Sequence, residues 1–177
     1  MNRERRALIV IDFQNDFTRE DGKSHACVKH VDEIIPRIND LINLFEKSND
    51  DVIYIKTEWT NFFIKLLTGN AVASGSYGAE LDKRIKQVNS HVFIKDNENI
   101  FSNVKFVQFL KNKNINKLYF VGLAVEYCIK TSFQVSQKYK YKTYVVRDAV
   151  ATYRCNNIDK AVRKYISEDS LIKSQAI

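Results

Sequence analysis

Asp12, Lys95 and Cys128 are the residues whose types and places invite chemistry. Each stands at or beyond the end of a short apolar run: ALIVID ends in Asp12, HVFIK ends in Lys95, and Cys128 lies six residues past Gly122, which closes KLYFVG. In an open parallel sheet ligands bind outside the carboxyl ends of the strands, so polar residues at those ends are the first to question. A cysteine at the entrance to a helix meets partial positive charge and free N–H groups, which favour its thiolate. A nearby lysine would add to that effect. A carboxylate within hydrogen-bond reach could take the thiol proton and later hand it to a leaving group. The same N–H groups would stabilise an oxyanion, worth about 3–4 kcal/mol per donor in other enzymes. Buried cysteines and strand-end Asp and Lys are also common for packing reasons alone, so the spacing by itself leaves a structural role open.

The elements that must position these residues are legible as alternation. ALIVID (7–12), DVIYIK (51–56), KLYFVG (117–122) and KTYVVR (142–147) are continuous apolar runs, and HVFIK (91–95) is a shorter one. Continuous rather than alternating hydrophobicity suits strands buried on both faces of a parallel sheet. Between them, VDEIIPRINDLINLFEK carries a stripe of period 3.6 through Ile34, Ile35, Ile38, Leu41, Ile42 and Phe45. Pro36 is tolerated in a first turn, which predicts a helix start near Glu33. Ser102 is expected to cap a helix through Lys111, with Val104, Val107 and Leu110 inward. Further helices are expected over about 126–138 and 158–165, and SLIKS (170–174) is a weak strand. Strands alternating with helices imply right-handed βαβ units in a three-layer α/β/α fold, here read as a single domain over 1–177. The longest stretch without periodicity, Thr57 to Gly78, reads as an active-site loop or a hidden element.

Composition bounds the function. The chain has 177 residues and a net charge of +7, from 28 Lys and Arg against 21 Asp and Glu. The basic residues are spread among acidic ones rather than clustered, which argues against a nucleic-acid partner. No apolar run approaches the roughly 20 residues of a membrane span, and no signal-peptide pattern opens the chain. Three scattered cysteines, Cys27, Cys128 and Cys155, do not form a disulfide framework, which suits a reducing, cytoplasmic setting.

Several blocks carry a family resemblance. IDFQNDF, Gly22 and VDEIIPRIN resemble the opening of the isochorismatase-like cysteine hydrolases, D-x-Q-N-D-F followed by a D-x-I-x-P-x-I-N helix. GLAVEYCIKTSFQVS is similar to the nucleophile segment of their nicotinamidase branch, G-[LIV]-A-T-[DE]-Y-C-V-x-x-T-A. GSYGAEL, KDNENIF and VVRDAVAT are similar to G-T-x-G-A-E-L, K-x-x-x-S-A-F and V-x-D-A-x-A-S, and all fall in family order. The resemblance implies a six-stranded parallel sheet flanked by helices. It implies a triad in which Cys128 attacks a carbonyl, Asp12 is the general acid and base, and Lys95 supports both. It also implies a cis peptide between Leu123 and Ala124, and an oxyanion hole from the N–H groups of Ala124 and Cys128. Because amidases of the family need this cysteine and true isochorismatases generally lack it, hydrolysis of a small amide or ureido C–N bond through a thioester is favoured. Nicotinamide turnover, ester hydrolysis or a non-catalytic thiol scaffold are the alternatives. Family members are usually dimers or larger, so a homo-oligomer is expected.

Departures from the family pattern matter too. Nicotinamidases hold a metal with a D-x-H motif after the second strand; here the stretch reads KTEWTNF, and no histidine occurs between His30 and His91. No metal and no cofactor are therefore expected. Val125 stands where the pattern has Thr, Asn99 where it has Ser, and Phe13 where a smaller aliphatic is frequent. His25, Cys27 and His30 form an H-x-C-x-x-H cluster whose spacing fits no common zinc pattern and reads as packing or surface. Cys155 reads as an incidental thiol. Phe17, Trp59, Phe62 and Tyr127 are candidate walls for a planar or carbon-rich substrate, Phe17 the best placed by the family resemblance, with core packing the alternative for each. Glu126 reads first as a helix cap, and Lys56 and Glu58 have no assigned direction. NFFIKLL, opening the segment from Thr60 to Ser76, is expected to be a lid or an oligomer contact.

Overall fold

The structure, a computed structural model, describes residues 4–89 and 91–177. Strand β1 (Arg5–Ile11) leads through a single turn, α1 (Asn15–Thr18), into the long helix α2 (Val28–Lys47). β2 (Asp51–Thr57), α3 (Phe62–Leu67) and β3 (Val92–Lys95) follow. Then come α4 (Val104–Asn112), β4 (Ile115–Gly122), α5 (Lys130–Lys138), β5 (Lys142–Val150), α6 (Ile158–Tyr165) and β6 (Leu171–Ile172). The six strands form one parallel sheet in the order β3-β2-β1-β4-β5-β6. Among the described residues no helix is long and apolar enough to cross a membrane.

The continuous apolar runs are explained by this layering. In β1, Leu8 and Val10 point into a cluster with Val31, Ile34, Ile38, Ile42 and Phe45 of α2. Ala7, Ile9 and Ile11 point the other way, toward Phe106 and Leu110 of α4, Phe133 of α5 and Val162 of α6. With both faces covered, a polar residue inside the run would lose its water without a partner, so none occurs there. Each Leu or Ile so buried contributes roughly 1.5–3 kcal/mol.

The order of the strands locates the site. The chain runs outward from β1 through β2 to β3 on one side, then returns to lay β4 beside β1 and proceeds outward again. Loops leaving β1 and β4 therefore diverge to opposite faces, opening a crevice at their carboxyl ends. Asp12 follows β1 on that edge, Lys95 ends β3, and Cys128 lies in the turn after β4.

Helix boundaries differ from the sequence reading in instructive places. α2 begins at Val28, not near Glu33, so Pro36 lies inside it. The cost is small because Pro36 and Asp32, whose carbonyl loses its helical donor, are both exposed to water, while Val31 extends the buried stripe one turn earlier. α4 is capped not by Ser102 but by Asn103, whose Oδ1 accepts from Phe106 N at 2.9 Å. That start rotates the helix so that Phe106 and Leu110 are buried and Val104 is exposed. The weak terminal strand is shorter than SLIKS, Leu171–Ile172 alone. The unpatterned stretch after β2 hides one short helix, α3.

Gly122, at the mouth of the crevice, is required by two observations. Its φ is +106°, and a Cβ there would lie 2.2 Å from the Ile11 carbonyl oxygen. That oxygen is itself the acceptor for Leu123 N at 3.0 Å, so β1 cannot retreat without breaking the bond. Gly122→Ala is expected to destabilise the fold by more than about 2 kcal/mol, read as a lower urea midpoint at unchanged slope.

Candidate active site

Three strand ends converge. Lys95 Nζ donates to Asp12 Oδ2 at 2.8 Å and lies 3.3 Å from Cys128 Sγ. Its third contact is Thr57 Oγ1, which in turn donates to Asp12 Oδ1 at 2.9 Å. The Lys95 side chain has no exposed surface and that of Asp12 only 3%. Their positions follow from the sheet. Thr57 and Lys95 are register partners on β2 and β3, and Asp12 N donates to Ile55 O at 2.9 Å on the neighbouring strand. Asp12 leaves β1 with φ +54°, a left-handed conformation that Asp tolerates better than most residues. Gln14, fully buried, clamps the far side of the site: its Nε2 donates to Thr57 O at 2.8 Å and its Oε1 accepts from Thr57 N at 2.7 Å.

The electrostatics correct one expectation. A helix N-terminus and a lysine were expected to favour the thiolate of Cys128. Burial instead pushes the thiol well above its ordinary range, and the negative charge of Asp12 adds to that; Lys95 opposes them without prevailing. For Lys95, burial acts to lower the pKa, but Asp12, with the contact to the Cys128 sulfur added, outweighs it and the ammonium is held above its usual value. At rest the thiol is thus neutral beside the Lys95 ammonium. Cys128 also does not sit in a regular first turn. Ile129 N bonds Ala124 O, five residues back, in a wide turn over Val125–Ile129 that precedes α5.

The Leu123–Ala124 peptide is cis. Val125 N donates to Ala151 O, whereas the Ala124 N–H has no acceptor among the described residues. A cavity of about 290 Å³ opens above, with Asp12, Cys128 and Ala124 in its lining and aromatic walls from Phe17, Trp59, Tyr127 and Tyr153. Tyr153 was not anticipated; it packs edge-on against Tyr127 at 5.6 Å and its OH meets Ser24 Oγ at 3.3 Å. Phe62, by contrast, lies on α3 and is 70% exposed.

These features belong beside what comparison with known proteins shows. A model of the isochorismatase domain matches residues 6–167. The chain belongs to the isochorismatase family. Among curated relatives it is similar to a nicotinamidase of Acinetobacter baylyi, 28% identical over 188 residues covering 86% of this chain and 82% of that one. It is also similar to the ureidoacrylate amidohydrolase RutB of the same organism, 23% identical over 157 residues. That match takes in 74% of this chain and spans 64% of the relative's length. Among solved structures, the N-carbamoylsarcosine amidase of Thermoplasma acidophilum superposes with a TM-score of 0.81 at 20% identity over 98% of both chains. The six-stranded, helix-flanked sheet expected from the sequence is the fold of this family.

Within the isochorismatase family frame, the position of the nicotinamidase metal motif is filled differently. Lys56 Nζ pairs with Glu58 Oε1 at 2.8 Å, and Ser74 Oγ donates to Glu58 Oε2 at 2.8 Å. A lysine ammonium already neutralises that carboxylate, and the donor set does not fit a metal ion. The H-x-C-x-x-H cluster is likewise committed elsewhere. His30 Nδ1 bonds Thr152 Oγ1 at 2.9 Å, His25 Nδ1 lies 3.0 Å from Ala26 O, and Cys27 is bonded to Cys155. That disulfide corrects the reading of Cys155 as an incidental thiol, and it removes the argument from cysteine usage to a reducing compartment. It ties the segment entering α2 to the loop after β5, so the two walls carrying Ala26 and Tyr153 are joined. Glu126 stands in the first turn after Ala124, as expected, and its carboxylate accepts from Tyr153 N at 3.1 Å and Asn156 Nδ2 at 3.2 Å, anchoring the same loop to the Cys128 segment.

Proposed function

We propose that the protein is a cysteine hydrolase that cleaves a small amide or ureido C–N bond through a thioester on Cys128. The observation that carries this reading is the contact of one buried ammonium, Lys95, with both the Asp12 carboxylate and the Cys128 sulfur at the floor of a cavity. Names of the relatives, a nicotinamidase, an amidohydrolase and an amidase, support the bond type.

Each step balances with these groups. Asp12 takes the thiol proton as sulfur attacks the carbonyl carbon, so no free thiolate need accumulate on a sulfur whose pKa is raised. The carbonyl electrons move to oxygen, which faces the N–H groups of Ala124 and Cys128. Asp12 returns the proton to the leaving nitrogen, the C–N bond breaks, and ammonia or an amine departs. Water then attacks the thioester with Asp12 as base; the C–S bond breaks, the sulfur regains a proton and a carboxylic acid leaves. Lys95 keeps the site from carrying two uncompensated negative charges as protons move. No metal or cofactor is called on. Ammonia release from a panel of small carboxamides and ureido compounds, with intact-mass detection of an acyl adduct, tests the reading; no turnover and no adduct across the panel would sink it.

Helix α3 supports the expected homo-oligomer. Phe63, Leu66 and Leu67 are 72%, 68% and 86% exposed, a concentration of apolar surface that water disfavours. We propose that a second copy covers it. Light scattering should then give a multiple of 20.6 kDa, and Phe63→Glu with Leu67→Glu should reduce it to the monomer. A wild-type monomer would refute the contact.

A further inference from the structure

The cavity charge pattern selects a kind of substrate. Its titratable lining consists of Asp12 and Cys128, already engaged with Lys95, two tyrosines, and Glu98. Among the described residues no Lys or Arg side chain lines it. Lys95 lies beneath, and its three N–H groups are taken up by Asp12, Thr57 and Cys128, leaving none for a substrate anion. Lys130 and Arg154 line a separate cleft that shares Tyr127 and Tyr153 with the cavity, and there Lys130 Nζ rests 5.4 Å from the centre of the Tyr165 ring.

Glu98 is held in place. Thr131 Oγ1, on α5, donates to its Oε2 at 2.8 Å, and Ser132 Oγ of the same helix bonds its backbone carbonyl at 3.2 Å. Its other carboxylate oxygen carries no bond among the described residues. Phe17, Trp59, Tyr127 and Tyr153 line the same cavity. A carboxylate beside aromatic rings favours a cation twice over, by direct attraction and through the ring quadrupoles, and repels an anion.

We propose that Glu98 is a specificity-determining residue and that the preferred substrates are small amides whose far end carries a positive charge, such as a protonated amine. This rests on the amide-hydrolase reading above. Because Glu98 is exposed, water weakens its share, and a preference of about fivefold to tenfold over a neutral isostere is expected.

Three amides of one shape test this: p-aminomethylbenzamide, p-ethylbenzamide and p-carboxybenzamide, compared by kcat/KM for ammonia release near neutral pH. The expected order is cationic, neutral, anionic. Glu98→Gln should lower the cationic-to-neutral ratio severalfold, through KM rather than kcat, leaving only the share of the aromatic rings, and Glu98→Lys should lower it further. An anionic preference in the wild type, or a ratio unmoved by Glu98→Gln, overturns the proposal. A second readout separates this from failure of the hydrolase reading: protection of Cys128 from iodoacetamide by the same three amides needs no turnover. Stronger protection by the cationic amide, weakened in Glu98→Gln, supports the assignment even if none is hydrolysed. Equal protection by all three refutes it.

Discussion

Cys128→Ala should abolish amide turnover, by about 10⁴-fold or more, and should eliminate the acyl adduct. The size follows from the step removed. Without the sulfur no covalent intermediate forms, and what remains is whatever the cavity and its N–H groups offer a water molecule. In an unrelated hydrolase, loss of the nucleophile alone costs nearly as much as loss of the whole catalytic set. The measurement is intact mass after brief exposure to a turned-over amide, with ammonia release in parallel. Cys155→Ala is the control, since Cys155 lies outside the proposed triad and its sulfur is bonded to Cys27. An adduct that survives Cys128→Ala, or vanishes in Cys155→Ala alone, would overturn the assignment of the nucleophile.

The layered sheet was legible because burial on both faces leaves a plain mark: the run ALIVI has nowhere to place a polar residue. The helix α6 was legible to its ends for the complementary reason, a single apolar stripe on an otherwise charged segment. Boundaries set by solvent were harder. Pro36 looks like a helix start in sequence, yet a missing N–H costs little where the freed carbonyl faces water, and nothing in the sequence says which way Asp32 points.

At the site, strand ends named Asp12 and Lys95 as candidates but omitted Thr57, which bonds both. A signal existed: Thr57 closes β2 as Lys95 closes β3, and pairing the two runs end to end would have set them side by side. The bond between Cys27 and Cys155 had no such signal. The residues are 128 positions apart, and only the tertiary path of α2 and the β5 loop brings them together. The direction of the Cys128 shift was missed because charge and helix position can be read from sequence, whereas the depth of burial that outweighs them cannot.

Asp12 and Lys95 act on the thiol with opposite sign, and that separates a chemical role from a structural one. The charge of Asp12 raises the Cys128 pKa while Lys95 lowers it. Asp12→Asn should therefore shift the pH dependence of Cys128 alkylation to lower pH, making the sulfur more reactive toward iodoacetamide. Turnover should nevertheless fall about 10³-fold, because no group remains to carry the proton to the leaving nitrogen. Lys95→Met should do the reverse to the thiol, moving alkylation to higher pH, and should cost about 3 kcal/mol of stability by leaving the buried Asp12 without its counter-charge. The sign of the pH dependence follows from the raised pKa of Lys95 in the fold. Its contribution is complete below the unfolded amine's value of about 10.4 and is lost as pH rises through the folded one. The stability gap between wild type and Lys95→Met should thus stay constant through neutral pH and narrow only in strong alkali. Turnover that survives in Asp12→Asn, with the fold intact, would remove this carboxylate from the role of base.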